Sequence, residues 1–160
     1  SDEPLCIQVT ENQFLAENSV GRMSCQLVEG QFPNYREVIP RENKNKAVFP
    51  TKAVLNALRR ASFLTSEQTR AVDFGLSEDS LILTSQSPDL GDAEVRVQID
   101  YSGDEADISF NPQYIEDVLE IVERESVKFE FNDRRSPCLL RSGVDYKYVV
   151  SPVVREEAEV

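Results

Sequence analysis

Apolar and polar residues alternate along the first thirty residues in the way that half-buried β-strands require. The alternation runs from Leu5 to Val9, resumes from Phe14 to Ala16, and returns from Met23 to Val28, with turn-forming residues between the stretches. The pattern predicts three antiparallel strands with one apolar face. Such a sheet needs a cover, so we expect residues 1–40 to be the C-terminal, all-strand part of a domain whose beginning is missing.

A proline-bounded apolar segment, Gly30 to Pro40, follows these strands. Pro33 and Pro40 fix their own φ and disfavour helical residues before them, so we expect no helix across this run. The Phe, Tyr, Val and Ile side chains between them are too apolar for a solvated linker and require a surface. These residues alone leave two interpretations open: a crossover loop packed on its own sheet, which is the commoner arrangement, and a binding surface.

A strand, a helix and three strands then follow one another twice, which indicates an internal repeat. A polar run at 41–46 separates this part from the first, so we place a domain boundary there and assign residues 41–160 to a second, complete domain. The first copy comprises strand 47–49, a helix opened by Pro50-Thr51, and strands near 71–76, 81–85 and 94–101. The second comprises strand 107–110, a helix opened by Asn111-Pro112, and strands 127–131, 138–141 and 146–150. The fold class is α+β, with antiparallel sheets.

Composition removes several functional classes. The 160 residues carry a formal net charge of −12 and no His, so imidazole ligands and His-dependent catalysis are excluded. The three cysteines form no Cys-x-x-Cys pair, which argues against a zinc site or a disulfide framework. No apolar run is long enough to span a membrane and no signal peptide is recognisable, so we expect a cytoplasmic protein. Neither a cofactor nor a metal is implied, and we expect no enzymatic activity.

The outward faces of the two predicted helices differ in charge. Lys52, Arg59 and Arg60 lie opposite the apolar side of the first helix, whereas Glu116, Asp117, Glu120 and Glu123 occupy the polar side of the second. The cations suit phosphate contacts, although a solvated helix face explains each one equally well. The carboxylates would repel phosphate.

Three separated motifs make the chain resemble the bacterial replicative sliding clamp, the DNA polymerase III beta subunit. They are Leu27–Pro40, Ile108–Asn111 with Tyr114 through Leu119, and Tyr148–Val153. The resemblance covers nearly the whole chain and corresponds to the end of the middle clamp domain and all of the third. It implies the DNA-clamp fold, with two helices packed on one side of the sheets in each domain.

The resemblance also implies a function and a set of sites. The family forms a homodimeric ring around duplex DNA and receives short peptide motifs from DNA polymerase III, the clamp loader and repair proteins between the middle and third domains. The implied peptide groove comprises Pro33, Tyr35, Val38, Val149, Val150, Ser151, Pro152 and Val153. The implied DNA-facing residues are Lys52, Arg59 and Arg60, and the implied subunit interface comprises Phe63, Leu64, Asp92 and Glu94.

The chain departs from the family pattern in ways that affect those sites. Glu37 stands where a basic residue is common, and Ser151 and Val153 stand where methionine is frequent, which implies a shallower groove of different charge. The wall supplied by the rest of the middle domain is absent, so the chain supplies half of a peptide site and cannot close a ring alone. Glu156, Glu157 and Glu159 extend past the family's usual end as an acidic tail.

Two other functional classes remain open at this point. An acidic ligand-binding or protein-interaction module of two αβ repeats, with no DNA role, would explain the charge directly. An enzyme would need a site such as a divalent ion held by Asp100, Asp104, Glu105 and Asp107, yet their spacing fits no calcium loop and a carboxylate-rich turn is the simpler explanation.

Overall fold

The structure is a computed structural model of the chain, and it describes residues 4–30, 34–40, 42–65, 71–88 and 91–154. The chain divides into two compact units, Ser1–Asn34 and Tyr35–Val160. The division therefore falls before a short helix at Tyr35–Val38, which we call the hinge helix because it lies in the proline-bounded segment Gly30–Pro40. The sequence predicted the domain boundary after Pro40. Each unit has its own sheets.

The first unit is a three-stranded antiparallel sheet of β1 (Cys6–Val9), β2 (Gln13–Glu17) and β3 (Arg22–Gln26). In its register Ile7 lies opposite Ala16, which lies opposite Met23, so one face is apolar. The side chain of Asn18 closes the β2–β3 turn by accepting hydrogen bonds from the backbone N–H groups of Val20 and Gly21 at 3.0 and 2.9 Å. The three strands and their apolar face confirm the prediction from alternation.

A short helix, α1 (Tyr35–Val38), begins the second unit. We expected no helix across Gly30–Pro40, and the helix that forms is a single turn within that run, where the N–H of Ile39 donates to the carbonyl of Tyr35 at 3.2 Å. Proline constrains itself and the residue before it, so a single turn fits in the interval and ends ahead of Pro40.

Two antiparallel sheets and two helices form the rest of the second unit. The five-stranded sheet has the order β12-β11-β10-β4-β8, and the four-stranded sheet has the order β7-β6-β5-β9. The strands are β4 (Asn45–Pro50), β5 (Val72–Ser77), β6 (Ser80–Ser87), β7 (Gly91–Gln98), β8 (Asp100–Ser102), β9 (Ala106–Phe110), β10 (Ser126–Phe131), β11 (Cys138–Ser142) and β12 (Tyr146–Val150). The helices are α2 (Thr51–Ser62) and α3 (Pro112–Ile121). This order confirms the α+β fold and the repeated unit.

The two repeats exchange their leading strands. β4 opens the first repeat but pairs with β10, with Phe49 opposite Val127. β9 opens the second repeat but pairs with β5, with Phe110 opposite Val72. The five-stranded sheet therefore combines β4 and β8 of the first repeat with β10, β11 and β12 of the second, and the four-stranded sheet combines β9 of the second repeat with β5, β6 and β7 of the first.

Both helices cover the core with apolar positions at helical spacing, although Tyr114, which that spacing also places on the apolar face of α3, is 52% exposed. Val54, Ala57, Leu58 and Ala61 of α2 are fully buried, as are Ile115, Val118 and Leu119 of α3 to within 2%. Asn111 caps α3 by accepting the N–H of Gln113 at 3.1 Å, and Pro112 occupies the first turn. Thr51 anchors the start of α2 by donating from its hydroxyl to the carbonyl of Arg124 at 2.7 Å.

The last predicted strand of the first repeat forms two strands that belong to different sheets. The sequence predicted continuous strand over 94–101, but β7 ends at Gln98 in the four-stranded sheet and β8 begins at Asp100 in the five-stranded sheet. Between them Ile99 is 4% exposed, and its N–H donates to the carbonyl of Asp79 at 3.0 Å. An unbroken apolar alternation does not reveal the crossing because both sheets face the same core.

The described residues contain neither a membrane-spanning helix nor a metal-binding group of side chains. None of their helices is long and apolar enough to cross a membrane. Across the same ranges, no group of three or more Asp, Glu, Cys or His side chains is arranged to hold a metal ion.

Candidate protein-interaction surfaces

The hinge helix α1 lies beside the outer face of the five-stranded sheet, the face turned away from the core. Tyr35 and Val38 are 55% and 49% exposed, more than core packing would leave. The residues beside them, Arg36, Ile39 and Pro40, line one depression together with Leu139, Arg141 and Lys147. The Arg36 guanidinium stands 5.9 Å from the centroid of the Tyr35 ring, within cation–π range. The hinge helix and the residues that follow it therefore adjoin the outer face of β11 and β12.

The β12 side of the candidate groove shows strand alternation. Val149 is half-buried on the outer face, opposite Leu139 of β11, which is 2% exposed. Val150 points the other way and joins the core at 4% exposure. Of the two valines implied by the resemblance, only Val149 therefore presents its side chain on the outer surface, and Val150 offers its backbone on an edge strand.

The residues after β12 turn toward the other sheet. Val153 donates from its N–H to the carbonyl of Ser109 on β9 at 2.8 Å. Its side chain, 38% exposed, lines a second depression with Ser109, Arg134 and Arg135. Ser151 is exposed and Pro152 half-buried. Pro33 lies outside the described residues, so the structure adds nothing about its role.

The tyrosines of β12 lie under the sheet rather than on its outer surface. Burial raises the pKa of Tyr148, and the nearby charge of Asp117 on α3 raises it further. Burial likewise raises the pKa of Tyr146. Both phenols pack against the core beside α3, so they support β12 from within and leave Lys147 and Val149 facing outward.

The α2 surface contains the three implied DNA-facing residues, and all three are exposed. Arg59 is not a free cation: its Nε lies 3.8 Å from Glu116, and its Nη2 forms a short hydrogen bond to Glu120 on α3. For Lys52 and Arg60 no ion pair occurs within the part of the chain that the structure describes. The carboxylates that the sequence suggested would repel phosphate are thus partly neutralised by Arg59.

The end of α2 presents an apolar side chain to solvent. Phe63 is 83% exposed, while Leu64 is half-buried. The Ser85 hydroxyl donates to the carbonyl of Ala61 at 2.7 Å, which ties the end of α2 to β6. Asp92 and Glu94 are exposed on β7, which is an edge strand of its sheet. An exposed apolar side chain and an exposed edge strand are features that protein interfaces use.

Sequence reasoning missed the outer-face residues Lys128, Leu139, Arg141 and Lys147. Alternation within a strand predicts which face of that strand each of these side chains occupies, but not which residue of the next strand lies beside it. The register that sets β10, β11 and β12 side by side was not predicted, and only that register shows that the three cations are neighbours.

Two antiparallel sheets, interlocked through exchanged strands and covered by a pair of helices, define the class of clamp domains. The family model for the C-terminal domain of the DNA polymerase III beta subunit matches residues 36–154. The chain belongs to that family.

Individual relatives agree with this assignment. The chain is 33% identical to the beta sliding clamp of Haemophilus influenzae over 96% of its own length and 42% of that protein. It is 31% identical to the beta sliding clamp of Escherichia coli K12 over 95% of this chain and 42% of that protein. It therefore spans about two fifths of these relatives.

Solved structures share the fold. A sliding clamp from Bartonella birtlesii bound to griselimycin superimposes with a TM-score of 0.82 at 27% identity, covering 94% of this chain and 41% of that one. The beta subunit from Thermotoga maritima superimposes with a TM-score of 0.79 at 30% identity, covering 98% and 43%.

Proposed function

We propose that the chain is the peptide-capturing part of a bacterial sliding clamp, a processivity factor that encircles duplex DNA and tethers DNA polymerase III and other motif-bearing partners. Residues 1–40 are then the C-terminal part of the middle clamp domain, and residues 41–160 are the third domain with its acidic tail. The family match from residue 36 onward supports the second assignment. The role is non-catalytic and cytoplasmic.

The observation that carries the proposal is the exposed apolar hinge beside the outer face of β11 and β12. Tyr35 and Val38 stay about half exposed although α1 adjoins the sheet, and Val149 lies on the sheet face that adjoins it. Short motifs bind such surfaces by inserting a few apolar anchors. Griselimycin in the Bartonella birtlesii clamp is a ligand of a protein with this fold, and we assign ligand capture in this chain to the surface beside α1.

DNA contact and ring closure are further parts of the proposal. Lys52 and Arg60 are exposed cations on α2, suited to phosphate contacts without sequence readout. Arg59 contributes less because Glu116 and Glu120 pair with it. Phe63, with Leu64, Asp92 and Glu94, provides the surface for the second subunit of a homodimer.

Binding of purified DNA polymerase III from the same organism to the immobilised chain tests the proposal, with surface plasmon resonance as the readout. Val38→Asp places a charge in the hinge surface and should weaken binding by about tenfold or more. Val144→Asp is the matched control, because Val144 is 84% exposed in the β11–β12 turn, and it should stay within about twofold of the unchanged chain. No binding, or equal loss in both variants, would contradict the proposal.

A further inference from the structure

The outer face of the five-stranded sheet has a charge pattern that the peptide groove does not explain. Lys128 on β10 lies directly opposite Arg141 on β11, and Arg141 lies directly opposite Lys147 on β12. Adjacent strands are about 5 Å apart, so these three cations form a row of about 10 Å. We call Lys128, Arg141 and Lys147 the cation row.

Such a row is unfavourable for an isolated sheet. Like charges directly opposite each other destabilise strand pairing. The chain as a whole has a formal net charge of −12, so a surface where cations prevail differs from its surroundings. Lys128 and Lys147 are exposed, and within the described ranges neither forms an ion pair. The charges of Lys128 and Lys147 are therefore available to an external partner.

Only the central cation has an internal counter-charge. Arg141 Nη1 lies 3.7 Å from Glu130 Oε1, and the Glu130 side chain is 11% exposed. Asn43 also donates to Glu130, at 3.3 Å, which holds the carboxylate against the sheet. This bridge orients Arg141 and leaves its neighbours on either side unpaired.

Apolar surface accompanies the row. The depression shared with α1 is about 350 Å³ and is lined by Arg36, Ile39, Pro40, Leu139, Arg141 and Lys147. Three of these six residues are cations, three are apolar, and none is a carboxylate. An occupant that satisfies this lining combines acidic side chains with apolar ones.

We propose that the cation row docks an acidic, extended peptide segment of a partner protein, with an apolar side chain of that segment in the depression beside Leu139. Alternate side chains of an extended peptide are about 7 Å apart, so two carboxylates on one side of the peptide fit within a row of about 10 Å and are reached by the long side chains of Lys128 and Lys147 on either side of Arg141. A nucleic-acid backbone fits less well, because Ile39, Pro40 and Leu139 make half of the lining of the adjoining depression apolar, and a sugar-phosphate backbone has no apolar side chain to place there. The inference shares the depression beside α1 with the proposed peptide-binding surface and rests on that part of the proposed function, but it does not depend on ring formation.

Fluorescence anisotropy with a labelled peptide of alternating Leu and Asp tests the proposal on the 160-residue chain. We expect the Leu-Asp peptide to bind at least about fivefold more tightly than the corresponding Leu-Asn peptide, with affinity falling as salt rises. Equal binding of the two peptides would overturn the proposal.

Lys128→Gln/Lys147→Gln should weaken Leu-Asp binding by about fivefold. The matched control is Arg22→Gln/Arg96→Gln, which removes the same charge from side chains that are 66% and 65% exposed elsewhere, and it should change binding by less than about twofold. Thermal unfolding verifies that both variants fold. Equal loss in the two variants would reduce the effect to net charge and overturn the proposal.

Two competitors complete the test. A duplex oligonucleotide that displaces the peptide at equal concentration would assign the row to nucleic acid and overturn the proposal. Peptide binding that appears only after residues 155–160 are removed would show that the chain's own acidic tail occupies the row, and this result would also overturn the proposal. Unchanged peptide affinity in both experiments supports a separate acidic partner.

Discussion

Phe110 of β9 and Phe129 of β10 meet edge to face between the two sheets, with their ring centroids 5.9 Å apart. Phe129 also stacks on Phe49 of β4 at 5.0 Å, and Phe110 contacts Phe74 of β5 at 5.1 Å. β4 and β9 are the leading strands that the repeats exchange, so this aromatic cluster packs where the two repeats interlock.

Replacing Phe129 tests the importance of this cluster. Phe129→Ala removes a fully buried ring and should lower the free energy of unfolding by about 3–5 kcal/mol. The control Phe63→Ala removes a ring that is 83% exposed, and it should change stability by less than about 0.5 kcal/mol. Urea denaturation followed by circular dichroism measures both. Similar values for the two variants would contradict the packing described here.

The cysteines should differ sharply in reactivity. Cys6 and Cys25 are exposed in the first unit, whereas Cys138 is buried under the five-stranded sheet. A thiol-specific chromogenic reagent at pH 8 should label two thiols rapidly and the third only as the second unit opens. Rapid labelling of all three in the folded chain would show that Cys138 is not packed as described.

Stability should fall at alkaline pH for an identifiable reason. Burial raises the pKa of the Cys138 thiol from 9.0 to about 12, with a smaller contribution from the Asp133 charge. Between these values the unfolded chain has lost a proton that the folded chain keeps. The free energy of unfolding should therefore be fully retained below pH 9 and fall as pH rises toward 12, by up to about 1.4 kcal/mol per pH unit from this group.

Denaturation series across that pH range, with the unchanged chain and with Cys138→Ala, isolate the thiol. The variant should lose stability less steeply. Burial of Tyr101, Tyr146 and Tyr148 also raises their pKa values, so a slope of the same sign should remain. Identical slopes for both proteins would rule out the buried thiol as a contributor.

Light scattering tests the expectation about ring closure. The chain spans about two fifths of its clamp relatives, and Phe63, part of the proposed subunit interface, is 83% exposed. We predict the mass of a single chain, 18.1 kDa, and no retention of circular DNA. A stable ring-sized dimer that topologically retains circular DNA would contradict this.

Periodicity predicted the elements that bury one face. The α2 positions Val54, Ala57 and Leu58 are all fully buried, as their spacing required. The Pro-bounded hinge was predicted less well, because proline statistics exclude a helix through the segment but do not exclude the single turn from Tyr35 to Val38.

Pairing between distant strands could not be read from the pattern. The exchange of β4 and β9, the crossing at Ile99 and the alignment of Lys128 with Arg141 and Lys147 depend on register, which alternation within one strand does not specify. The resemblance implied both Val149 and Val150 as groove residues. Alternation along β12 would have predicted that their side chains lie on opposite faces of the sheet, as the structure has them.

Ligand capture beside α1 is tested most directly by a nuclear magnetic resonance titration of the ¹⁵N-labelled chain with griselimycin. We predict that the amide signals of Val38 and Val149 shift with increasing ligand. We also predict that Val38→Asp abolishes these shifts while Val144→Asp preserves them. Unmoved signals at both residues, or shifts that Val38→Asp leaves intact, would contradict ligand capture at this surface.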